Sequence, residues 1–128
     1  MIYLDSSVLL AQLFAEDRSP PNRFWSQALI SSRLLEFEVF DRVHARGGAP
    51  SYATDARDFV DRVSLNELSA RVLARALEPL PAPERTLDAL HLATMDFLRV
   101  HGQKLELATY DERLAAAAKA MGFPLAKA

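Results

Sequence analysis

The amino-acid sequence predicts a three-layer α/β/α sandwich with a short, mostly parallel central sheet. Short apolar runs without polar alternation recur along the chain, which is typical of parallel strands that are buried on both faces. Segments with helical periodicity separate these runs, and this alternation favours a parallel sheet with helices on both faces. The chain has 128 residues and 50% hydrophobic content, so we expect residues 1–128 to form one domain with a substantial core.

The composition excludes several classes of protein and site. The chain has no cysteine, which excludes disulfides and thiolate metal sites and fits a reducing cytoplasm, where we expect the protein to act. It has no apolar run of about eighteen residues, so we expect no membrane span, and its beginning lacks the pattern of a secretory signal. The net charge of -2 is low for a protein that coats nucleic acids. Any RNA binding must therefore be local or depend on a metal cation.

In the first half of the chain, apolar runs and helix-terminating residues define the elements. The first apolar run stops at an acid and becomes helical at once, as a buried strand that leads into a helix does. Prolines suit the first turn of a helix, a serine suits the N-cap, and a glycine pair ends a helix. These signals predict a strand at Ile2–Asp5, a helix at Ser6–Phe14, a helix that begins at Pro20–Asn22, a strand at Ala28–Ser31, Ser32 as an N-cap, and a helix at Arg33–Arg46 that ends at Gly47 and Gly48.

The second half continues the same alternation. Three prolines within five residues exclude regular structure, and a glycine followed by a proline ends the last helix. The apolar spacing places Leu73 and Leu87 on inward-facing helix surfaces. The predicted elements are a helix from Pro50 to about Arg62, a strand at Arg62–Leu65, a helix from about Glu67 to Leu77, a loop at Pro79–Pro83, a helix at Thr86–Val100, a strand at Leu105–Ala108, a helix at Asp111–Met121, and a short edge strand at Phe123–Leu125.

Four acidic residues are candidates for a functional site, and each also has an ordinary structural explanation. Asp5 and Asp111 lie where a strand passes into a helix, and Asp88 lies in the first turn of a helix. Acids at such places act as caps or as partners of the helix dipole, worth about 0.3–1 kcal/mol. Glu38 differs because it lies on a largely apolar helix, where a carboxylate is costly unless it is paired. Glu36 competes for the same role, and the helical pattern does not choose between them.

Taken together, the acids predict a metal site. The carboxyl ends of parallel strands meet at one edge of a sheet, so we expect Asp5 and Asp111 to lie close together and the other acids to join them. Crowded carboxylates repel one another, and a hard cation such as Mg²⁺ or Mn²⁺ removes that conflict. A water activated by such a metal is a usable nucleophile for phosphodiester cleavage near neutral pH.

Four segments of the sequence carry a family resemblance, in the order in which the family has them. The segments are Ile2–Val8, Ser31–Val39, Leu87–Ala93 and Ala108–Leu114, with Ala117, Ala118 and Gly122 behind the last. The chain resembles PIN-domain proteins, and specifically the VapC-type toxins of toxin–antitoxin pairs. Each segment alone is only moderately specific, whereas all four in order in a chain of this length are specific. The stretch between Trp25 and Ser31 is short for the family, which affects the boundaries of the second strand.

The resemblance implies a PIN-like fold and a Mg²⁺- or Mn²⁺-dependent endoribonuclease, in which a metal-activated water attacks an RNA phosphodiester. It also implies a homodimer and neutralisation by an antitoxin peptide that lies in a groove near the site. Glu38 rather than Glu36 matches the second acid of the family. Carried over residue by residue, the metal-binding catalytic acids are Asp5, Glu38, Asp88 and Asp111, and the supporting polar residues are Ser6 and Thr109.

Some residues and two other functions remain open at this point. His91 shares a helix face with Asp88, and a packed histidine beside the site is a more ordinary interpretation than a metal ligand. Arg42 and Arg46 lie one and two turns beyond Glu38, where they either bind RNA phosphates or are solvated. The alternative functions are a PIN nuclease that processes RNA or acts on DNA, and a non-enzymatic protein-binding module in which the acids are only caps.

Overall fold

The computed structural model describes residues 1–80 and 85–128, and within them it contains four strands, six α-helices and one 3-10 helix. Residues 81–83 of the predicted loop at Pro79–Pro83 lie outside the described residues. The strands are β1 (Ile2–Leu4), β2 (Leu29–Ser32), β3 (Ser64–Asn66) and β4 (Glu106–Ala108). The helices are α1 (Ser6–Leu13), the 3-10 helix Asn22–Ser26, α2 (Leu34–Ala45), α3 (Pro50–Val60), α4 (Ala70–Ala76), α5 (Thr86–Val100) and α6 (Glu112–Ala120).

The four strands form one sheet in the order β3-β2-β1-β4, and all neighbouring strands are parallel. In the register of the sheet, Ile2 of β1 lies opposite both Leu29 of β2 and Glu106 of β4. The first strand is therefore central, although it comes first in the sequence. Because the strands are parallel, their carboxyl ends open at one common edge.

Helices cover both faces of this sheet, which confirms the predicted three-layer α/β/α sandwich. Successive side chains of a strand point to opposite faces, and β1 sends Ile2 and Leu4 to one face and Tyr3 to the other. The first face is packed by α1, α2 and α3, and the second by α5 and α6. The helix α4 packs against α5. In the described part of the chain, no helix combines the length and the apolar character that crossing a membrane requires.

The helices α2 and α5 end in the same way, at a glycine with positive φ. Gly47 follows α2 with a φ of 94°, and Gly102 follows α5 with a φ of 93°. After α5, the N–H of Gly102 donates to the carbonyl of Arg99 at 3.0 Å, and the N–H of Gln103 donates to that of Leu98 at 3.0 Å. This pair of bonds is a Schellman motif, which satisfies carbonyls at the end of the helix.

Several predicted elements differ from the structure in type or by one to three residues at their boundaries. The helix predicted to begin at Pro20–Asn22 is a five-residue 3-10 helix. The second strand is Leu29–Ser32, so Ser32 ends the strand and Arg33 is the N-cap of α2, although the Ser32 hydroxyl accepts from the N–H of Leu34 at 3.1 Å. The helix predicted from about Glu67 begins at Ala70, because the Ser69 side chain caps it by accepting from the N–H of Val72.

Two other expectations about packing are corrected by the structure. The predicted edge strand at Phe123–Leu125 is reduced to a single parallel bridge between Leu125 and Leu107. Leu73 and Leu87, which the apolar spacing places on inward faces, are 44% and 40% exposed. Leu73 lies where α4 packs on α5 and leaves part of its apolar surface uncovered, and Leu87 faces the cavity at the carboxyl edge of the sheet.

Candidate active site

A cavity of about 380 Å³ opens at the carboxyl edge of the sheet, and all four predicted acids line it. Asp5 follows β1, Asp111 begins α6 after β4, Glu38 lies in α2 and Asp88 lies in the first turn of α5. Chain segments separated by more than a hundred residues thus meet there, as the parallel topology requires. A larger cavity of about 790 Å³ lies at the opposite end of the strands, beside Ile2 and Glu106, and none of the four acids lines it.

The carboxylate of Asp5 is held firmly by the protein on one of its two oxygens. Asp5 is 6% exposed and is the N-cap of α1. Its Oδ2 accepts from the hydroxyl of Ser7 at 2.6 Å, from the hydroxyl of Thr109 at 2.8 Å and from the N–H of Ser7 at 3.4 Å. Within residues 1–80 and 85–128 its Oδ1 has no such donor. Capping and a position in the cavity are therefore compatible for this residue.

Glu38 belongs to a buried chain of hydrogen bonds. The Nε2 of His91 donates to the Glu38 carboxylate Oε1 at 2.6 Å, and the Nδ1 of His91 lies 2.7 Å from the Tyr3 hydroxyl. Burial lowers the pKa of His91, but the hydrogen bond and the negative charge of Glu38 outweigh that effect and raise the pKa overall. His91 thus orients the carboxylate of Glu38, in agreement with its interpretation as a packed histidine beside the site.

Asp111 and Asp88 complete the acidic lining in contrasting ways. Asp111 is the N-cap of α6, and its Oδ1 accepts from the N–H groups of Arg113 at 2.9 Å and Leu114 at 3.3 Å. The Oδ2 of Asp88 is buried and has no hydrogen-bond partner among the described residues. Burial, followed by the charges of Asp111 and Asp5, raises the pKa of Asp88. The cavity thus contains a buried carboxylate oxygen that no donor among the described residues satisfies.

The donor chemistry of the cavity fits a hard divalent cation. Its candidate ligands are carboxylate oxygens, which Mg²⁺ and Mn²⁺ prefer. The buried Oδ2 of Asp88 accepts no hydrogen bond from the described residues, and a cation would provide it with a positive partner. In the part of the chain that the structure describes, no three His, Asp or Glu side chains are positioned to hold one ion together. Like charges repel in the absence of a cation, and three of the carboxylates instead bind protein donors. Ligation therefore requires these side chains to turn toward a common point.

The structure also brings residues to the site that the sequence interpretation missed. Ser6 lines the cavity and Thr109 binds Asp5, but Ser7 makes more hydrogen bonds than Ser6. Asp41 lines the cavity as well, and its position one turn after Glu38 was visible in the sequence. The Tyr3 hydroxyl had no such signal, because its partner His91 lies 88 residues away. Arg85, which also lines the cavity, was missed too.

Comparisons with known proteins agree with this geometry. The sequence profile described as "PIN domain" matches residues 2–120. The chain is 32% identical over 130 residues to Ribonuclease VapC47 of Mycobacterium tuberculosis, which covers 96% of this chain and 93% of that protein. It is 36% identical over 124 residues to Ribonuclease VapC46 of the same species, which covers 94% of this chain and 92% of that protein. The match to the domain, together with two relatives that align along almost the whole length, shows that the chain belongs to the PIN-domain family and is related to the VapC ribonucleases.

Proposed function

We propose that the protein is a metal-dependent endoribonuclease and the toxin of a VapBC-type toxin–antitoxin pair. The observation that carries this proposal is the single cavity in which Asp5, Glu38, Asp88 and Asp111 meet. The names of its VapC relatives, both ribonucleases, support RNA as the substrate. Four clustered carboxylates repel one another and therefore destabilise the fold. Their presence at one site favours a role in binding a cation.

Asp5, Glu38, Asp88 and Asp111 would hold Mg²⁺ or Mn²⁺ in this cavity. Bound there, the ion would supply Lewis-acid chemistry and lower the pKa of a water molecule near the scissile phosphodiester. The chain's own contribution is orientation: Ser7 and Thr109 fix one oxygen of Asp5, and the other oxygen remains available. His91 binds one oxygen of Glu38 in the same way, so each of these two acids has one oxygen held by a protein donor.

Two arginines provide positive charge at the rim of the same cavity. Arg42 of α2 and Arg85 at the start of α5 both line it. A guanidinium group binds phosphate oxygens through paired N–H donors. These residues suit the binding of an RNA phosphate beside the acids, which would otherwise repel it. Ser6 lines the cavity as well and supports the site as a polar neighbour of Asp5.

We also propose that the protein acts in the cytoplasm, as a homodimer, and is neutralised by an antitoxin peptide that covers the cavity. Phe37 and Leu87 line the cavity although they are 61% and 40% exposed. Exposed apolar side chains at the rim of a charged cavity are typical of a surface that a partner covers. The sequence identities to VapC proteins support an antitoxin as that partner.

The test is cleavage of total cellular RNA by purified, antitoxin-free protein with Mn²⁺, Mg²⁺ or EDTA. We expect discrete fragments that require metal and that disappear in Asp5→Asn, since the variant loses one charged ligand. Asp58→Asn, which alters an exposed residue of α3 that does not line the cavity, is the matched control and should cleave normally. Single-stranded DNA in a parallel reaction tests the alternative nuclease. Folded protein that cleaves neither substrate with either metal would contradict the proposal and favour a binding module.

A further inference from the structure

A second, smaller groove of about 190 Å³ adjoins the acidic cavity between α1 and the end of α2. Phe14, Glu16, Arg46 and Tyr110 line it, and it shares Arg42 with the cavity. Ser7 and Leu10 also belong to both. The cavity and the groove therefore adjoin, with the four acids lining the cavity and two arginines, Arg42 and Arg46, lining the groove.

The arginines of this groove are spaced along one side of α2. Glu38, Arg42 and Arg46 follow one another at intervals of four residues, which corresponds to a rise of about 6 Å per step. Glu38 lies in the cavity, Arg42 lines both the cavity and the groove, and Arg46 lines the groove alone. A ligand that extends from the acids along the groove would pass the two guanidinium groups in turn.

One arginine of the groove, and a second beside it, lie over aromatic rings rather than against carboxylates. The guanidinium of Arg46 lies 3.9 Å from the centroid of the Phe14 ring, and that of Arg18 lies 4.2 Å from the centroid of the Tyr110 ring. Among residues 1–80 and 85–128, neither arginine forms an ion pair, and the same is true of Arg42. Elsewhere the arginines that pair with acids are Arg33, Arg57, Arg75 and Arg99. The N–H donors in the groove are therefore available to an anionic ligand.

We propose that this groove binds the single-stranded RNA next to the scissile phosphate, with Arg42 and Arg46 contacting successive phosphates. The inference rests on the proposed ribonuclease function and adds the path of the substrate. Guanidinium groups stacked on aromatic rings combine donors for phosphate with a flat face on which bases stack. Exposed Glu16 lies at the same groove, and its negative charge confines the phosphates to the α2 side.

The test measures binding of a fluorescent single-stranded RNA to Asp5→Asn protein in Mg²⁺, so that cleavage does not interfere. Adding Arg46→Gln should weaken binding about fivefold and reduce the slope of log K against log salt by about 0.7, the value for one phosphate contact on a single strand. Arg46→Lys keeps the charge and should recover part of the affinity. The matched control is Arg62→Gln, because Arg62 also lies over an aromatic ring, that of Phe59, but outside the groove.

The outcomes separate this inference from the proposed function. If Arg46→Gln and Arg62→Gln proteins melt at the same temperature and have equal affinities and salt slopes, the groove does not bind the RNA. This result would overturn the inference even if the wild type cleaves RNA. Absence of measurable RNA binding in the Asp5→Asn background would overturn it as well. Conversely, binding that depends on Arg46, combined with wild-type protein that does not cleave RNA, would support the groove and contradict the nuclease.

Discussion

Two aspartates on α5 show that the same type of side chain has opposite effects on stability in different surroundings. Asp96 accepts from Arg75 at 2.7 Å and from Arg99 at 2.6 Å. Burial raises the pKa of Asp96, but these two arginines outweigh it and lower the pKa overall. The pKa of Asp88 is raised, by burial and by Asp111 and Asp5. Asp96 therefore stabilises the fold in its charged form, and Asp88 costs stability.

The first prediction is that Asp88→Asn is more stable than the wild type at pH 7 without metal. Between the ordinary and the raised pKa, the folded state binds more protons than the unfolded state, so the free energy of unfolding falls as the pH rises. Asp88→Asn lacks the titrating group and therefore avoids this loss of stability. The difference in stability between the variant and the wild type should vanish below about pH 3.9, where the carboxyl is protonated in both the folded and the unfolded state. Thermal melts across this pH range measure it.

Asp96→Asn is the matched control for that experiment and should have the opposite sign. Its lowered pKa means that its stabilisation is present above the ordinary carboxyl pKa and is lost as the pH falls through the folded value. If Asp88→Asn is instead destabilised at pH 7, the interaction of Asp88 with the dipole of α5 outweighs the repulsion in the cavity. Asp88 would then act mainly by stabilising the first turn of α5.

The second prediction concerns the chain from Tyr3 through His91 to Glu38. His91→Leu should destabilise the protein by about 1–3 kcal/mol, because the buried Tyr3 hydroxyl loses its partner. Tyr3→Phe in the same protein should recover part of that loss, which a double-mutant cycle by denaturant unfolding measures. The metal concentration needed for half-maximal cleavage should rise about tenfold in His91→Leu, because Glu38 is no longer oriented. An unchanged metal requirement would limit His91 to a role in packing.

At this scale, the sequence predicted the acids better than their partners. Asp5 and Asp111 could be placed because a strand-to-helix boundary is visible locally. The choice of Glu38 over Glu36 required the family resemblance, and in the structure Glu36 is paired with Arg57 at 2.7 Å outside the cavity. The hydrogen bond between Thr109 and Asp5 spans 104 positions. No local pattern reports such a contact.

Among the helices and strands, the predictions succeeded where strong end signals were present. The helix α5 has the predicted bounds because a proline-rich stretch precedes it and Gly102 follows it. The segment before β2 was predicted less well, since a single turn of 3-10 helix leaves almost no periodicity to detect. The exposed positions of Leu73 and Leu87 also escaped prediction, because a helical stripe shows which side is apolar but not how completely its neighbour covers it.

The third prediction is that Gly102→Ala destabilises the protein by about 1 kcal/mol without changing cleavage. Its φ of 93° is unfavourable for a residue with a Cβ. A Cβ at Gly102 would meet no atom within 4 Å, so the cost comes from the backbone alone. Denaturant unfolding measures the loss. The matched control is Ala120→Gly at the end of α6, which changes helix propensity but not the sign of φ.

In the molecule as a whole, the sheet lies between two hydrophobic clusters and has the acidic cavity at its carboxyl edge. One hydrophobic cluster lies on each face, and neighbouring residues of β1 contribute to both. We propose on this basis that residues 1–128 form one domain. A single unfolding transition that coincides for different spectroscopic probes is the expected behaviour.

The fourth prediction is that Mn²⁺ raises the melting temperature of EDTA-treated protein. A ligand that binds only the folded state at about 100 times its Kd adds about 2.7 kcal/mol, or roughly 10 °C for a chain of this size. Asp5→Asn should lose most of this shift, whereas Asp58→Asn should keep it. Equal shifts in both variants would mean that Mn²⁺ binds outside the cavity.

The central position of β1 also has a consequence for how the protein is made. Residue 2 pairs with residue 29 on one side and with residue 106 on the other, so during synthesis the second edge of the first strand stays uncovered until β4 has been made. Asp111 lies beyond β4, and the acidic cavity is therefore completed only after β4 has been synthesised. A nascent or prematurely terminated chain that stops before β4 would have an open sheet edge and an incomplete set of acids. Such a chain would be inactive and prone to aggregation. The activity would therefore appear only after β4 and Asp111 have been synthesised and folded.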